Sequence, residues 1–463
     1  LEFFNLPKEV PVEKGKIYEI KINGLGHSGE GVGRYEEFTV FVPYALPNEI
    51  VTAEITEVKK SYAKGKLVKI IEQSPDRSAA KCPLYEECGG CQLQHLSYAA
   101  QLKAKKRQVA DAVARIGGQK DIEIKETIGA LHPWNYRNKM QFPVGRQGSH
   151  IVVGCYAQGS HKIINTESCF IQNEANNIIA REVRAIIKRL SLSPYDEKTG
   201  KGLIRHIIGR VSIVSGEVMV VIVTNGDVLP KQAKLIKEIR DNVEGVVSIM
   251  QNINKKRTNV IMGDKTIKLW GREYITDKLG DFVFNISARS FFQVNTVQAE
   301  VLYNKAVEYA ELTGKETVID AYCGTGTITL FLAKKAKKVY GIEIIAQAIA
   351  DAKQNAVRNN IKNTEFITGD AVEIMPKLYE KGIISDVIVV DPPRAGCDKI
   401  VLETFAKMQP KRIVYVSCNP ASLARDIAIM EELGYKAIKI QPVDMFAQTG
   451  HVETVCLMSR KDK

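Results

Sequence analysis

The sequence predicts three domains in series: a small N-terminal β-barrel, a central α+β domain, and a C-terminal α/β domain with a largely parallel, Rossmann-like sheet. Three observations predict it. At 463 residues the chain exceeds what one hydrophobic core serves. Its N-terminal part is a run of short strands punctuated by turn signals, and its C-terminal part alternates helices with strongly apolar strands.

The barrel is expected over residues 8–73. Strands read at Lys16 to Ile22, Thr39 to Val42, Ile50 to Glu57 and Lys64 to Ile71, with turns at Asn23-Gly24 and Gly29-Glu30-Gly31. Lys14, Lys16, Lys21, Arg34, Lys59, Lys60, Lys64 and Lys66 lie beside Tyr35, Phe41, Tyr44 and Tyr62. Oligonucleotide-binding barrels hold a backbone and stack bases with that mixture, and a purely structural barrel is the plainer alternative.

Ser74-Pro75-Asp76-Arg77-Ser78 closes this module and opens the central domain, expected over 74–285. A helix from Leu96 to Ile116 sets Leu102, Val109 and Val113 against Lys103, Lys105, Lys106 and Arg107, a basic face suited to lie along RNA. Strands follow at Ile151 to Tyr156, Val211 to Ser215 and Val218 to Thr224, with helices at Glu174 to Leu190 and Leu229 to Asn242. Trp134, Tyr136, Arg137, Asn138 and Lys139 cluster where they could reach a phosphate or an unstacked base; ordinary surface packing is the simpler reading for each.

The C-terminal domain is expected over 286–463. Its strands, Thr317 to Asp320, Lys338 to Glu343, Val387 to Asp391, Arg412 to Ser417, Ala437 to Pro442 and Glu453 to Ser459, alternate with helices, which places a ligand beyond their carboxyl ends.

Composition narrows the partners. A net charge of +12 points to a polyanion, since neutralising phosphates releases their counterions, although a solvated basic surface accounts for charge alone. No apolar run approaches the roughly 18 residues of a membrane span, so no membrane association is expected. Leu1 to Lys16 has neither the charged head nor the apolar core of a secretion signal. The nine cysteines are accordingly expected in a reducing cytoplasm, where they serve metals or chemistry more often than disulfides.

The first C-terminal strand runs into Asp320-Ala321-Tyr322-Cys323-Gly324-Thr325-Gly326-Thr327, where two glycines let the backbone turn before a helix. A third glycine near Thr329 is missing, which argues against a nicotinamide or flavin cofactor. Glu343 ends the second strand about twenty residues on, placed to accept from both ribose hydroxyls. Asp370, at the next strand end, is placed to meet an adenine amino group. The set looks like the nucleoside pocket of a methyltransferase.

Asp391-Pro392-Pro393-Arg394 follows the next strand, and Ser417-Cys418-Asn419-Pro420 the one after. A thiol there matters because C5 of uracil is a poor nucleophile. Addition of a thiolate to C6 makes C5 an enolate carbon able to take a methyl group, after which a base must remove the C5 proton so that the thiol can leave. Glu453, in Gly450-His451-Val452-Glu453-Thr454, is the candidate base and His451 the alternative. A buried small hydrophobe is the plainer role for any intracellular cysteine and describes Cys155 and Cys456. Separately, Cys82-x5-Cys88-x2-Cys91 is a trio that needs a fourth thiolate, for which Cys169 is the candidate; spacing leaves zinc and iron–sulfur both open.

Four of these segments in order, Ser290-Phe291-Phe292-Gln293-Val294-Asn295, Asp391-Pro392-Pro393-Arg394, Ser417-Cys418-Asn419-Pro420 and His451-Val452-Glu453-Thr454, closely resemble the RumA/TrmA family of RNA uracil-5-methyltransferases, over roughly the whole chain. The resemblance implies methyl transfer from S-adenosyl-L-methionine to C5 of a uridine in RNA through a covalent adduct. In it Cys418 is the nucleophile and Glu453 the proton acceptor, while Gln293, Tyr322, Thr327, Glu343, Asp370 and Asp391 line the donor site. By the same resemblance the barrel is a TRAM domain, and Cys82, Cys88, Cys91 and Cys169 hold a 4Fe-4S cluster. Barrel and cluster together imply the ribosomal branch, with 23S rRNA as substrate ahead of tRNA. Thr327 departs from relatives that carry Asn, and Ala447 from the many with Pro. The expected protein is a cytoplasmic monomer with RNA as partner and no stable protein partner. Its rivals are a catalytically silent RNA-binding protein and an iron–sulfur electron carrier.

Overall fold

The computed structural model describes residues 10–461. Lys8 and Glu9 of the expected barrel, and Leu1 to Glu9 of the stretch read for a secretion signal, lie outside the described residues.

The barrel closes from β1 (Ile17–Leu25), β2 (Gly31–Tyr35), β3 (Phe38–Val42), β4 (Ile50–Val58) and β5 (Tyr62–Glu72), in the order β1-β2-β3-β5-β4. Ile20, Ile22, Val40, Val42, Val51, Ala53 and Ile55 fill it, every second residue along each strand as the pleat requires. β2 is absent from the sequence reading, which places only its first residue, Gly31, in a turn. Its Gly-Val-Gly start hides the alternation, yet glycine is needed: a Cβ at Gly31 would fall 2.6 Å from the Ala45 carbonyl oxygen.

Next come α1 (Tyr98–Arg115) and β6 (Glu123–Ile124). Val109 and Val113, with Ile122 and Ile124 against them, join the core of the C-terminal domain. This segment therefore packs on the core of the C-terminal domain, while Ala100 near its start packs with Leu46 of the barrel.

The central sheet contains β7 (Lys139–Gln147), β8 (His150–Tyr156), β9 (Ile163–Asn165), β10 (Ile204–Val211), β11 (Val218–Thr224), β12 (Val246–Ile253) and β13 (Lys265–Gly271), ordered β13-β12-β11-β10-β7-β8-β9. Its helices, α2 (Glu174–Arg189) and α3 (Gln232–Asn242), pack on the face carrying Ile207, Val220 and Ile222. Ile208, Met219, Val221 and Val223 point the other way, into the C-terminal domain. The strand expected over Val211 to Ser215 is instead the end of β10 and a turn, closed by the Ser212 amide on the Glu217 carbonyl at 2.8 Å.

The hairpin β14 (Tyr274–Leu279) and β15 (Phe282–Ser287) leads into α4 (Thr296–Ala310). Then follow β16 (Thr317–Ala321), α5 (Thr327–Ala333), β17 (Lys338–Glu343), α6 (Ala346–Arg358), β18 (Thr364–Thr368), α7 (Ala371–Glu380), β19 (Val387–Val390), α8 (Lys399–Met408), β20 (Arg412–Ser417), α9 (Pro420–Glu432), β21 (Tyr435–Val443) and β22 (Glu453–Arg460). The sheet runs β18-β17-β16-β19-β20-β22-β21-β6. β16 to β20 are parallel, and β22 is inserted antiparallel between β20 and β21. Alternate residues bury on opposite faces, Val318, Val339 and Val389 on one and Ile319, Ile342 and Ile388 on the other, as a doubly covered sheet demands. Among the described residues no helix is long and apolar enough to cross a membrane.

Candidate active site

The inserted strand brings the reacting groups together. β20 and β22 pair Ser417 with Thr454 as their last rung, and just beyond it Cys418 and Glu453 stand near enough that the Glu453 charge reaches the thiol. Thr454 Oγ1 donates to the Ser417 carbonyl at 3.0 Å and locks the strand ends. Because β22 runs against its neighbours, its first residue shares a sheet edge with Asp391, which follows β19, and Cys418, which follows β20.

Burial dominates the electrostatics here. It pushes the Glu453 carboxyl up to about 8, with the Asp391 charge adding and Arg394 opposing. Burial alone pushes Asp391 up to about 7. The half-buried Cys418 thiol is also raised, first by burial, then by Glu453 and Asp391, against Arg394. His451 is lowered by burial, then by Arg394, His27, Lys105 and Arg137, so it is the weaker base. A thiolate nucleophile and a carboxylate base both require loss of a proton, and both shifts point upward. The kcat/KM of the protein should therefore rise with pH through about 8, where Glu453 loses its proton, and keep rising beyond it as the raised Cys418 thiol ionises; a flat or falling profile would contradict these roles.

The residues expected to line the donor site lie at or near the same edge. Glu343 ends β17 and accepts from the Gly324 amide at 3.2 Å and the Ile345 amide at 2.9 Å, tying the glycine loop to its neighbouring strand. A Cβ at Gly324 would meet nothing within 4 Å, so open space lies before the loop. Asp370 caps α7 by accepting from the Val372 amide at 3.0 Å. Tyr322 holds a left-handed φ of 70° at the loop's start. Gln293 is fixed through its carbonyl, which accepts from Asn138 Nδ2 at 2.9 Å. Thr327 opens α5 with its hydroxyl 3.4 Å from that of Tyr303. Tyr303 is fully buried with Gln293, Thr327, Asp391 and Glu453 around its hydroxyl, linking donor side to reaction side. Sequence reasoning missed it, since a tyrosine among apolar residues on a helix reads as core.

The four cysteines lie elsewhere. Cys82, Cys88, Cys91 and Cys169 line one cavity of about 300 Å³, with Arg137 and Lys139 on its wall. Cys155 lines it too, correcting its reading as an inert core residue; β8 carries it there, and its thiol beside Cys88 favours the Cys88 thiolate. Among the described residues no three His, Cys, Asp or Glu side chains are drawn together as ligands of a single ion. This segment, distant from the active site in sequence, meets it in space: the Gln92 and Leu93 amides both donate to the Gln448 carbonyl at 3.0 Å.

Of the Trp134 to Lys139 cluster, Tyr136 donates to the Ala447 carbonyl at 2.9 Å and Asn138 to Thr296 Oγ1 at 2.8 Å. Both are engaged in domain packing, and Arg137 and Lys139 face the cysteines. A groove of about 660 Å³ separates the barrel from α1, lined by Arg34, Phe41, Lys103, Arg107, Arg115 and Gly450. Lys105 departs from the expected basic face: it is 1% exposed and paired with Asp444 at 2.5 Å.

A family model described as tRNA (Uracil-5-)-methyltransferase matches residues 97–461, and one described as TRAM domain matches residues 11–68. The chain is 51% identical over 454 residues to a Clostridium tetani protein named an uncharacterized RNA methyltransferase, 98% of each chain being covered. It is 52% identical over 453 residues to a Bacillus cereus protein of the same name, again with 98% of each covered. The crystal structure of Pyrococcus abyssi tRNA (uracil-54, C5)-methyltransferase in complex with S-adenosyl-L-homocysteine matches with a TM-score of 0.77 at 28% identity, covering 95% of this chain and 100% of that one. With one family model matching residues 97–461 and the other residues 11–68, the chain belongs to the tRNA (uracil-5-)-methyltransferase family of RNA methyltransferases and carries an N-terminal TRAM domain.

Proposed function

We propose that this protein, acting as a cytoplasmic monomer, transfers a methyl group from S-adenosylmethionine to C5 of a uridine in 23S ribosomal RNA through a covalent bond from Cys418 to C6. The placement of Cys418 near Glu453 and Asp391 carries the reading. Cys418 Sγ adds to C6 as a thiolate, and the C5–C6 electron pair moves onto O4. C5 then attacks the methyl carbon as its bond to the sulfonium sulfur breaks, the electron pair staying on sulfur to leave neutral S-adenosylhomocysteine. Glu453 takes the C5 proton, the ring electrons return, and the S–C6 bond breaks to restore the thiolate. The bound donor supplies an electrophilic methyl on a sulfonium. The site fits it: the Glu343 and Asp370 carboxylates stand at successive strand ends for ribose and adenine, and Ile344 and Ile345, 62% and 59% exposed, offer apolar cover for a purine.

The cavity gathers four thiols of the kind that ligate a 4Fe-4S cluster, and the RumA/TrmA resemblance supports that reading. Arg137 and Lys139 would offset the cluster's negative charge. Replacing Cys88 with serine should lower bound iron, soluble yield and RNA affinity together; unchanged values for all three would remove the cluster from this account.

The barrel and the basic groove beside α1 are suited to an RNA backbone, from which a splayed-out base reaches Cys418. Barrel and cysteine quartet together support the ribosomal substrate through the RumA/TrmA resemblance. Transfer RNA is the second reading, favoured by the Pyrococcus abyssi enzyme, whose match covers 95% of this chain and so cannot omit the barrel. Incubation with methyl-labelled donor, transcribed 23S fragments and transfer RNA, followed by mass-spectrometric mapping, decides between them. Label at uridine C5 of a 23S fragment is expected. Label on transfer RNA alone selects the second reading, and label on cytosine overturns the base assignment.

A further inference from the structure

The loop from Asp444 to Gly450 leads directly to Glu453 and is tied down from several sides. Asp444 accepts from Lys105 at 2.5 Å and from the Tyr98 hydroxyl at 2.7 Å. Asn295 Nδ2 donates to the Met445 carbonyl at 3.0 Å, and Tyr136 to that of Ala447 at 2.9 Å. At its centre stands Gln448, with a left-handed φ of 70° that glycine would adopt at less cost. Its side chain is what a glycine would forfeit. Gln101 Nε2 on α1 donates to Gln448 Oε1 at 3.0 Å, and the backbone N–H of Gln448 donates back to Gln101 Oε1 at 3.1 Å. Both glutamines are buried, so the exchange is shielded from competing water.

We propose that Gln101 and Gln448 are positioning residues for Glu453, their amide pair fixing the loop that sets the carboxylate against the C5 proton. Glu453 is the first residue of β22, and its last ladder partner on that side is Val443. Beyond that rung the path of the chain is set by the loop, and an irregular connection stays in one conformation only where it is tied. Cys418 hangs from β20 and α9, which this loop does not carry. The clamp therefore acts on resolution of the Cys418 adduct and not on its formation, an inference that rests on the chemistry proposed above.

The test uses the full chain in single-turnover reactions with labelled donor and whichever transcribed RNA, 23S fragment or transfer RNA, the wild type methylates. Gln101→Leu, Gln448→Gly and the double variant are compared for methylated adduct on denaturing gels and for free methylated RNA. The ratio of adduct to free product should rise about tenfold or more while total label entering RNA keeps its wild-type rate. The double variant should match Gln101→Leu, which already removes both hydrogen bonds, whereas Gln448→Gly keeps its backbone donor. A wild-type ratio, or adduct and product falling together, would overturn the proposal. Donor binding by equilibrium dialysis checks folding; if Gln101→Leu fails it, Gln448→Gly, whose backbone angle suits glycine, carries the test. Absence of any adduct with Glu453→Gln under the same conditions would instead sink the underlying chemistry.

Discussion

Cys418→Ala should lose methyl transfer by about 10⁴-fold or more while donor affinity stays within about twofold of wild type. The loss is near total because the other thiols described near this sheet edge, Cys323 and Cys397, are buried and held protonated by that burial. Cys397 is pushed up to about 12. Without addition at C6, C5 of uracil cannot attack at a useful rate, whatever the quality of donor binding. Donor affinity survives because Glu343, Asp370 and the Gly324 loop belong to β16, β17 and β18, which hold their positions through main-chain ladders independent of residue 418. Rapid-quench measurement of labelled RNA, paired with equilibrium dialysis of the donor, checks both halves. Product from Cys418→Ser at the wild-type rate would end the covalent account.

Glu453→Gln should slow turnover by about 10²- to 10⁴-fold and accumulate an RNA–protein adduct that survives denaturation. Glutamine keeps the shape of a fully enclosed side chain but has no lone pair basic enough to take a carbon-bound proton. The exchange is also mild for the fold. Burial already favours the neutral carboxylic acid, so a neutral amide introduces no new buried charge. Addition and methyl transfer, which depend on Cys418, should continue until the enzyme is occupied. Gel-shifted RNA in stoichiometric amount is the expected readout, and free methylated RNA without adduct would assign the base elsewhere.

The features legible in the sequence are local ones. Cys418, Glu453 and Asp391 sit where strand ends meet turn or helix signals, and a parallel sheet sends its strand ends to one edge. What brought Cys418 near Glu453, however, was the antiparallel insertion of β22, a tertiary choice that periodicity does not encode. Lys105 was read as part of a basic face because its partner Asp444 lies 339 positions away. The Gln101 to Gln448 pair spans 347 and was invisible for the same reason. Cys155 joined the cysteine cavity only because the chain at Cys88 forms a bridge to Ala157, beside β8. β2 escaped because its glycines answer to a neighbouring carbonyl and not to the alternation that marks a strand.

The barrel's first turn touches the loop before Glu453 with no room to spare: a Cβ at Gly450 would fall 3.0 Å from the His27 carbonyl oxygen. A module seated this closely cannot swing on a tether. If the barrel holds RNA as proposed above, this seating would present the strand at a fixed span from Cys418, so the barrel would measure out which nucleotide arrives.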